Sequence, residues 1–202
     1  MNKKEKLELL FKNFPSVGPT QAKRMVNFLL YQNQNYLKEM SDLILNLKNN
    51  ISQCQICNIF FENKNLNEKL CKICSNEKRD YSKVLVVEKN VDVENIENFG
   101  VWDGIYFVLG RNLKINEQEK ENLFNLNNLL QKSRLEVLSE ITFALSVNPE
   151  GEKTKEYIIN ILKPYSEKYN FKINQLGRGL SLGSEIQYSD KITLLEAFKN
   201  IH

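Results

Sequence analysis

Cys54-Gln55-Ile56-Cys57 and Cys71-Lys72-Ile73-Cys74 are two Cys-x-x-Cys pairs separated by thirteen residues. Each pair presents two thiolates from one tight turn, and two such turns complete a tetrahedron around zinc. Two disulfides are the rival reading, suited to an oxidising compartment. A redox dithiol would use one such pair beside a helix rather than two matched ones. A four-cysteine site leaves no open coordination position, so the expected zinc is structural. Its task would be to fold a segment with few apolar residues of its own.

Carboxylates form the second chemical grouping. Val84-Leu85-Val86-Val87 ends in Glu88, and Asp92 follows four residues later. A carboxylate at the C-terminal end of a parallel strand lies where α/β sheets place their ligands. There it can hold Mg²⁺ or relay a proton in phosphoryl transfer. It can equally be a solvated residue at a strand end. Glu150 and Glu152 follow a later strand, but no Asp-x-Asp pair accompanies them. No phosphate-binding G-x-x-x-x-G-K-[ST] loop is present. The one histidine is His202, which leaves no Ser–His or Cys–His couple.

The third grouping is Pro15-Ser16-Val17-Gly18-Pro19-Thr20-Gln21-Ala22, with Lys23 and Arg24 after it. It resembles a helix-hairpin-helix. Such a turn aims backbone N–H groups and a helix N-terminus at a phosphate, so it holds a nucleic-acid backbone without reading bases. Gly18 is expected to permit an unusual backbone, and Lys23 and Arg24 to add phosphate contacts. Ser16 stands where the motif usually has Gly. A plain Pro/Gly turn between packed helices is the alternative.

These groups need elements to position them. Apolar residues recur at helical spacing in Leu7, Leu10, Phe11 and Phe14, in Ala22, Met25, Val26 and Leu29, and in Leu37, Met40, Ile44 and Leu47, predicting three helices over 1–50. From Tyr81 onward, strands at 84–87, 105–109 and 141–145 alternate with helices at 92–99, 117–131 and 154–162. That alternation predicts a mostly parallel sheet covered by helices. The expected fold is therefore a multi-part α+β chain. It comprises a helical hairpin region over 1–50, a four-cysteine segment over 51–80, an α/β domain over 81–176 and a strand–helix tail over 177–202.

Charge separates the same zones. Residues 1–50 carry a net +4 and residues 81–202 a net −2, within an overall +3. A basic end suits a polyanion such as DNA, although a solvated surface would read the same way. No apolar run reaches the length of a membrane span, and the first fourteen residues lack a secretory signal, so the expected location is the cytoplasm.

The order of these parts resembles the RecR family. Asn13 to Arg24 is similar to that family's N-terminal hairpin, and Leu70 to Asn76 with Arg79 to its second zinc knuckle. Val86-Val87-Glu88 with Asp92, and Tyr106 to Gly110, resemble its Toprim segments. Glu150-Gly151-Glu152-Lys153-Thr154 and the tail Gly179 to Asp190 with Thr193-Leu194 follow two further stretches. Thr20 stands where the family usually has a basic residue, and Gly183-Ser184 where it has two glycines. The segment between the cysteine pairs is longer than usual, which predicts an exposed loop over Asn63–Lys69. The family's Leu-Ser-Pro-rich segment is not recognisable in Arg111–Glu117. The resemblance implies a Toprim α/β domain, a tetrameric DNA clamp, partnership with RecO and sometimes RecF, and help in loading RecA onto single strands. It also implies that the chain is not an enzyme, with Glu88, Asp92, Glu150 and Glu152 as partner-binding or relic acidic residues. An active Mg²⁺-dependent phosphoryl-transfer enzyme on DNA is the alternative.

Overall fold

Helical periodicity in the first fifty residues becomes three helices in a computed structural model, which describes residues 1–63, 67–118, 124 and 126–177. Helix α1 (Lys3–Phe11) opens on a capping box. The Asn2 side chain accepts from the Glu5 amide at 2.9 Å, and the Glu5 carboxylate accepts from the Asn2 amide at 3.0 Å. Helix α2 (Pro19–Leu30) starts with proline at its first position, where the missing N–H costs no bond. Helix α3 (Gln34–Asn46) is capped by Asn33, whose side chain accepts from Tyr36. These helices belong to one compact unit, Met1–Ile51, and a second begins at Ser52.

Burial in the helical unit is sparser than its periodicity predicts. Ala22 and Val26 are buried, but Met25, Ile44 and Leu47 are exposed, and α1 and α3 bury no residue fully. Helix α1 also stops at Phe11, so Phe14 lies in the turn, its ring 5.8 Å from that of Phe11. Short helices carry narrow apolar stripes, and along that of α3 Leu37 and Met40 are half-buried while Ile44 and Leu47 are exposed.

In the second unit, β1 (Ile51–Gln53) and β2 (Phe60–Glu62) form a two-stranded ribbon. A four-stranded sheet follows in the order β4-β3-β5-β6, built from β3 (Asp80–Val87), β4 (Gly104–Val108), β5 (Glu140–Ala144) and β6 (Lys172–Gln175). All its pairings are parallel, with Val84 opposite both Ile105 and Ile141. Val84 to Val87 are all buried, as expected of a central strand covered on both faces. Val84, Val86, Ile105, Phe107, Ile141 and Phe143 face one core, shared with Ile158 and Leu162 of α6 (Pro149–Tyr169). Leu85, Val87, Tyr106 and Val108 face the other, shared with the four cysteines and Val93 of α4 (Asn90–Phe99). Odd and even residues of one strand thus bind two different layers.

Several elements differ from the sequence reading. Residues 117 and 118 are not helical, residues 126–128 form a single 3-10 turn, and a short helix α5 (Lys132–Leu135) precedes β5. Residues 119–123 and 125, the rest of that expected helix, lie outside the described residues. Helix α6 begins five residues earlier than its apolar stripe because its first turn is polar and is fixed by the Asn148 cap instead. Strand β6 has mainly exposed residues and no apolar alternation to announce it. No helix among the described residues is long and apolar enough to cross a membrane. The tail over 178–202, including Gly179 to Asp190, lies outside the described residues.

Candidate functional site

The ribbon β1–β2 delivers the first cysteine pair. The Cys54 amide donates to the Ile59 carbonyl at 2.8 Å and the Asn58 amide to the Cys54 carbonyl at 3.1 Å, closing a knuckle. Asn58 takes a left-handed backbone (φ 64°), a conformation that Asn tolerates better than most residues. The second knuckle closes through the Ser75 amide and the Cys71 carbonyl at 3.0 Å. The knuckles are joined where the Cys71 amide donates to Cys54 Sγ at 3.4 Å. All four sulfurs are buried and lie within 4.8 Å of one another, with Cys57 and Cys71 3.6 Å apart. A disulfide needs about 2.05 Å. A tetrahedron with metal–sulfur bonds of about 2.3 Å places its sulfurs about 3.8 Å apart. The arrangement is that of a metal site rather than of two disulfides.

The thiols affect one another's ionisation. Hydrogen bonding with Cys57 above all, then with Cys71 and Cys74, holds the Cys54 thiol below its ordinary range. Its bond to Cys54 pushes the Cys57 thiol up. Sulfurs this close share protons, so all four ionise together only around a cation. The knuckles also grip the sheet. The Val108 amide of outermost strand β4 donates to the Cys57 carbonyl at 2.8 Å, and Asn58 Nδ2 donates to the Val108 carbonyl at 3.4 Å. The expected exposed loop between the pairs is only partly so. Asn63 is buried and donates to Ser52 Oγ and the Glu68 carbonyl, residues 67–69 are exposed, and residues 64–66 lie outside the described residues.

Glu88 lies just past the C-terminal end of β3, where the chain continues to β4 on one side and β5 on the other. That reversal opens a crevice between the loops that follow the two flanking strands. Both loops reach the carboxylate. Asn112 Nδ2 donates to Glu88 Oε2 at 2.7 Å, and Ser146 Oγ donates to the same oxygen at 2.9 Å. Lys89 Nζ lies 3.0 Å from Oε1. Burial opposes the charge, but the bonds from Lys89, Ser146 and Asn112 outweigh it and keep the carboxyl below its ordinary range.

The other acidic residues have separate tasks. Asp92 accepts from the Lys89 amide at 2.8 Å and completes the N-terminal box of α4. Glu152 pairs with Lys155 within the first turns of α6. Glu150 contributes its carbonyl, which accepts from Thr154 Oγ1 at 2.6 Å. Thr154 Oγ1 in turn accepts from the Leu113 amide at 2.7 Å, tying the loop after β4 to α6. Among the described residues, the group of three or more cysteine, histidine or acidic side chains placed to share a metal is the cysteine one. The Glu150-Gly151-Glu152 stretch has a steric role as well. A Cβ at Gly151 would stand 1.9 Å from the Ser146 carbonyl oxygen, so its glycine lets α6 approach the loop that holds Glu88.

The helical turn departs from expectation at one position. Gly18 has an extended backbone (φ −83°) and sits as the N-cap of α2, while Ser16 carries the left-handed conformation (φ 61°). The unusual backbone therefore falls where the motif usually has glycine. No side chain caps α2, so amides of its first turn remain open to an anion. Lys23 and Arg24 are exposed one turn on, and neither forms an ion pair among the described residues.

Asn112, Ser146 and Glu97, which the sequence did not single out, complete these sites. Asn112 and Ser146 orient Glu88. Arg79, the family-like residue after the second knuckle, pairs with Glu97 of α4 and donates to the Trp102 carbonyl at 2.9 Å, while Tyr106 donates to Glu97 at 2.6 Å. None follows a spacing rule, since each meets its partner only through the sheet's crossovers.

Comparison with known proteins agrees with this architecture. The Toprim domain family matches residues 82–176, the segment spanning β3 to β6. A protein of Finegoldia magna named "Recombination protein RecR" is 34% identical over 185 residues, covering 92% of this chain and 88% of its own. Its namesake in Pelagibacter ubique is 34% identical over 200 residues, covering 99% and 94%. Another, from Lactobacillus helveticus, is 35% identical over 191 residues, covering 93% and 90%.

Proposed function

The chain belongs to the RecR family of recombination proteins, and from that premise we propose that it is a zinc-stabilised DNA clamp that mediates recombinational repair without chemistry of its own. The observation that carries the proposal is similarity to proteins named "Recombination protein RecR" along nearly the whole chain. On this reading the protein works in the cytoplasm as a ring-shaped tetramer with RecO, and with RecF as a further partner, to help load RecA onto single-stranded DNA. The N-terminal helices and the C-terminal tail supply the contacts between subunits. Light scattering should then show species larger than the 23.7 kDa chain. A purely monomeric protein, with and without DNA, would sink the ring.

DNA is held by phosphate contacts from the open N-terminus of α2 at Gly18 and from Lys23 and Arg24. Affinity for single- and double-stranded DNA is then independent of sequence and falls steeply with salt. In the Lys23→Glu, Arg24→Glu double variant, the log–log salt slope on duplex DNA decreases by about 1.8, from about 0.9 per lost contact. An unchanged slope with full affinity would remove these residues from the interface. The cysteine site holds zinc, for which four thiolates are a preferred set. Metal analysis of the purified chain identifies the ion.

Glu88 is read as a contact residue for a partner protein and not as a metal ligand, since Lys89, Asn112 and Ser146 already occupy its carboxylate. Asp92, Glu150 and Glu152 are read in the same way, as partner-binding or relic acidic residues. The decisive experiment is a salt series of DNA binding with and without RecO, with the same mixtures assayed for cleavage in Mg²⁺. Salt-sensitive binding altered by RecO, without cleavage, supports the clamp. Cleavage that vanishes in Glu88→Gln establishes the phosphoryl-transfer alternative instead.

A further inference from the structure

Helix α5 places Arg134 against the first cysteine knuckle. Its Nη1 donates to the carbonyl of Ile56, between Cys54 and Cys57, at 3.3 Å. The side chain is half-buried and lines a small cavity of about 190 Å³ with Ile56, Tyr81, Gln131 and Val137. Arg134 has no carboxylate partner among the described residues. Burial of the guanidinium works against its charge and outweighs the opposing pull of the Cys74, Cys57 and Cys54 sulfurs and of Tyr81, which leaves its affinity for the proton below the ordinary arginine value. Tyr81 spans the same gap from the sheet, donating to the Cys74 carbonyl at 2.7 Å.

A guanidinium remains charged at any ordinary pH and is costly to desolvate without a counter-ion. Four thiolates around one divalent cation retain excess negative charge, and that charge too is costly in a buried site. Each charge offsets part of the other's cost if the groups face each other. Other cations nearby are otherwise engaged or solvated: Arg79 is paired with Glu97, and Lys69 and Lys72 are exposed.

We propose that Arg134 is the counter-ion of the metal–thiolate centre, a positioning residue that raises metal affinity by balancing the cluster's surplus charge through the Ile56 knuckle. The inference rests on the cysteine site holding a divalent metal. The same Nη1 bond fixes the carbonyl of that knuckle, so the loop after the 3-10 turn and the metal centre are one device. Residues just outside a ligand set commonly change metal affinity by about ten- to a hundredfold when replaced.

Three variants of the full-length, zinc-loaded chain separate charge from packing. Arg134→Lys retains the cation, Arg134→Gln retains a donor without charge, and Arg134→Met retains bulk alone. Zinc transfer to a chromophoric chelator is measured for each, together with the thermal midpoint in excess zinc. The expected result is zinc affinity lower by about ten- to a hundredfold in Gln and Met, near wild type in Lys, with all midpoints similar once zinc is saturating. If Gln holds zinc as tightly as wild type, the hydrogen bond matters and the counter-ion role is wrong. If all three lose stability in excess zinc to the same extent, Arg134 is a packing residue and the proposal fails. A wild-type chain that binds no zinc would overturn the metal reading itself, which is a different failure.

Discussion

In the helical unit Ala22 and Val26 are fully buried, whereas β3 alone buries four consecutive side chains, Val84 to Val87. The helices expose Leu43, Ile44, Leu45 and Leu47, while both faces of the sheet are covered, one by α6 and one by α4 with the cysteine knuckles. The second region completes its own core. The first leaves apolar side chains exposed. The difference also separates the means of stabilisation. A cysteine group placed to hold a metal and steric fit mark the second region, and local capping and turn geometry the first.

That contrast is most directly broken at Cys54. The Cys54→Ser variant is expected to lose its metal and unfold residues 51–80, because ligand binding and folding are one equilibrium there, of the order of 10 kcal/mol for structural zinc. Hydrogen exchange should show protection lost in the knuckles and β4 but kept at Ala22 and Val26. Equal loss throughout would show that the two regions do not stand apart.

Steric fit gives the next largest effect. Gly151→Ala forces a Cβ against the Ser146 carbonyl, where backbone and not a flexible side chain must yield. The expected cost is about 3 kcal/mol, at the upper end for an overpacked site, read as a lower urea midpoint. Because Ser146 holds Glu88, the proposed contact with RecO should weaken with it.

Glu88 sharpens the comparison through pH. Its folded carboxyl lies below the unfolded value, so the stability it provides is present above the unfolded value and lost as pH falls through the folded one. At neutral pH Glu88→Gln should cost about 1–3 kcal/mol. The gap from wild type should narrow on acidification below 4.5, the ordinary value for a glutamate. A gap that stays constant to low pH would mean the carboxylate is not held in its charged form.

The smallest effect belongs to the helices. Ser16→Gly relieves a left-handed backbone and should stabilise the helical unit by about 0.5–1 kcal/mol. No gain in thermal midpoint would place the strain elsewhere in the turn.

Features legible in the sequence were those with a local cause. Cys-x-x-Cys spacing announces its geometry within four residues, and the run Val84 to Val87 announces a strand buried on both faces. The first three helices follow from apolar spacing, with Pro19 marking the start of the second. Contacts made by crossover were not legible. Asn112 and Ser146 meet Glu88 from strands on opposite sides, and Arg134 lies 78 residues from Ile56. Strand β6 lacked alternation because its side chains are mainly exposed. The turn misled for a different reason: proline neighbours drew attention to Gly18, but the backbone reversal was placed on Ser16.

The hydrogen bond from the Val108 amide to the Cys57 carbonyl has a bearing on solubility. Strand β4 is the border of its sheet, and an uncovered border is a template on which a second chain can add a strand. The metal centre holds the knuckle that occupies it. Chelation would therefore do more than loosen a small segment: it would free the Val108 amide and carbonyl at that border, near Phe60, which is already solvent-facing. Stripped of its ion, the protein should turn from a dispersed species into one that self-associates through its sheets, and prompt return of the ion should halt that growth.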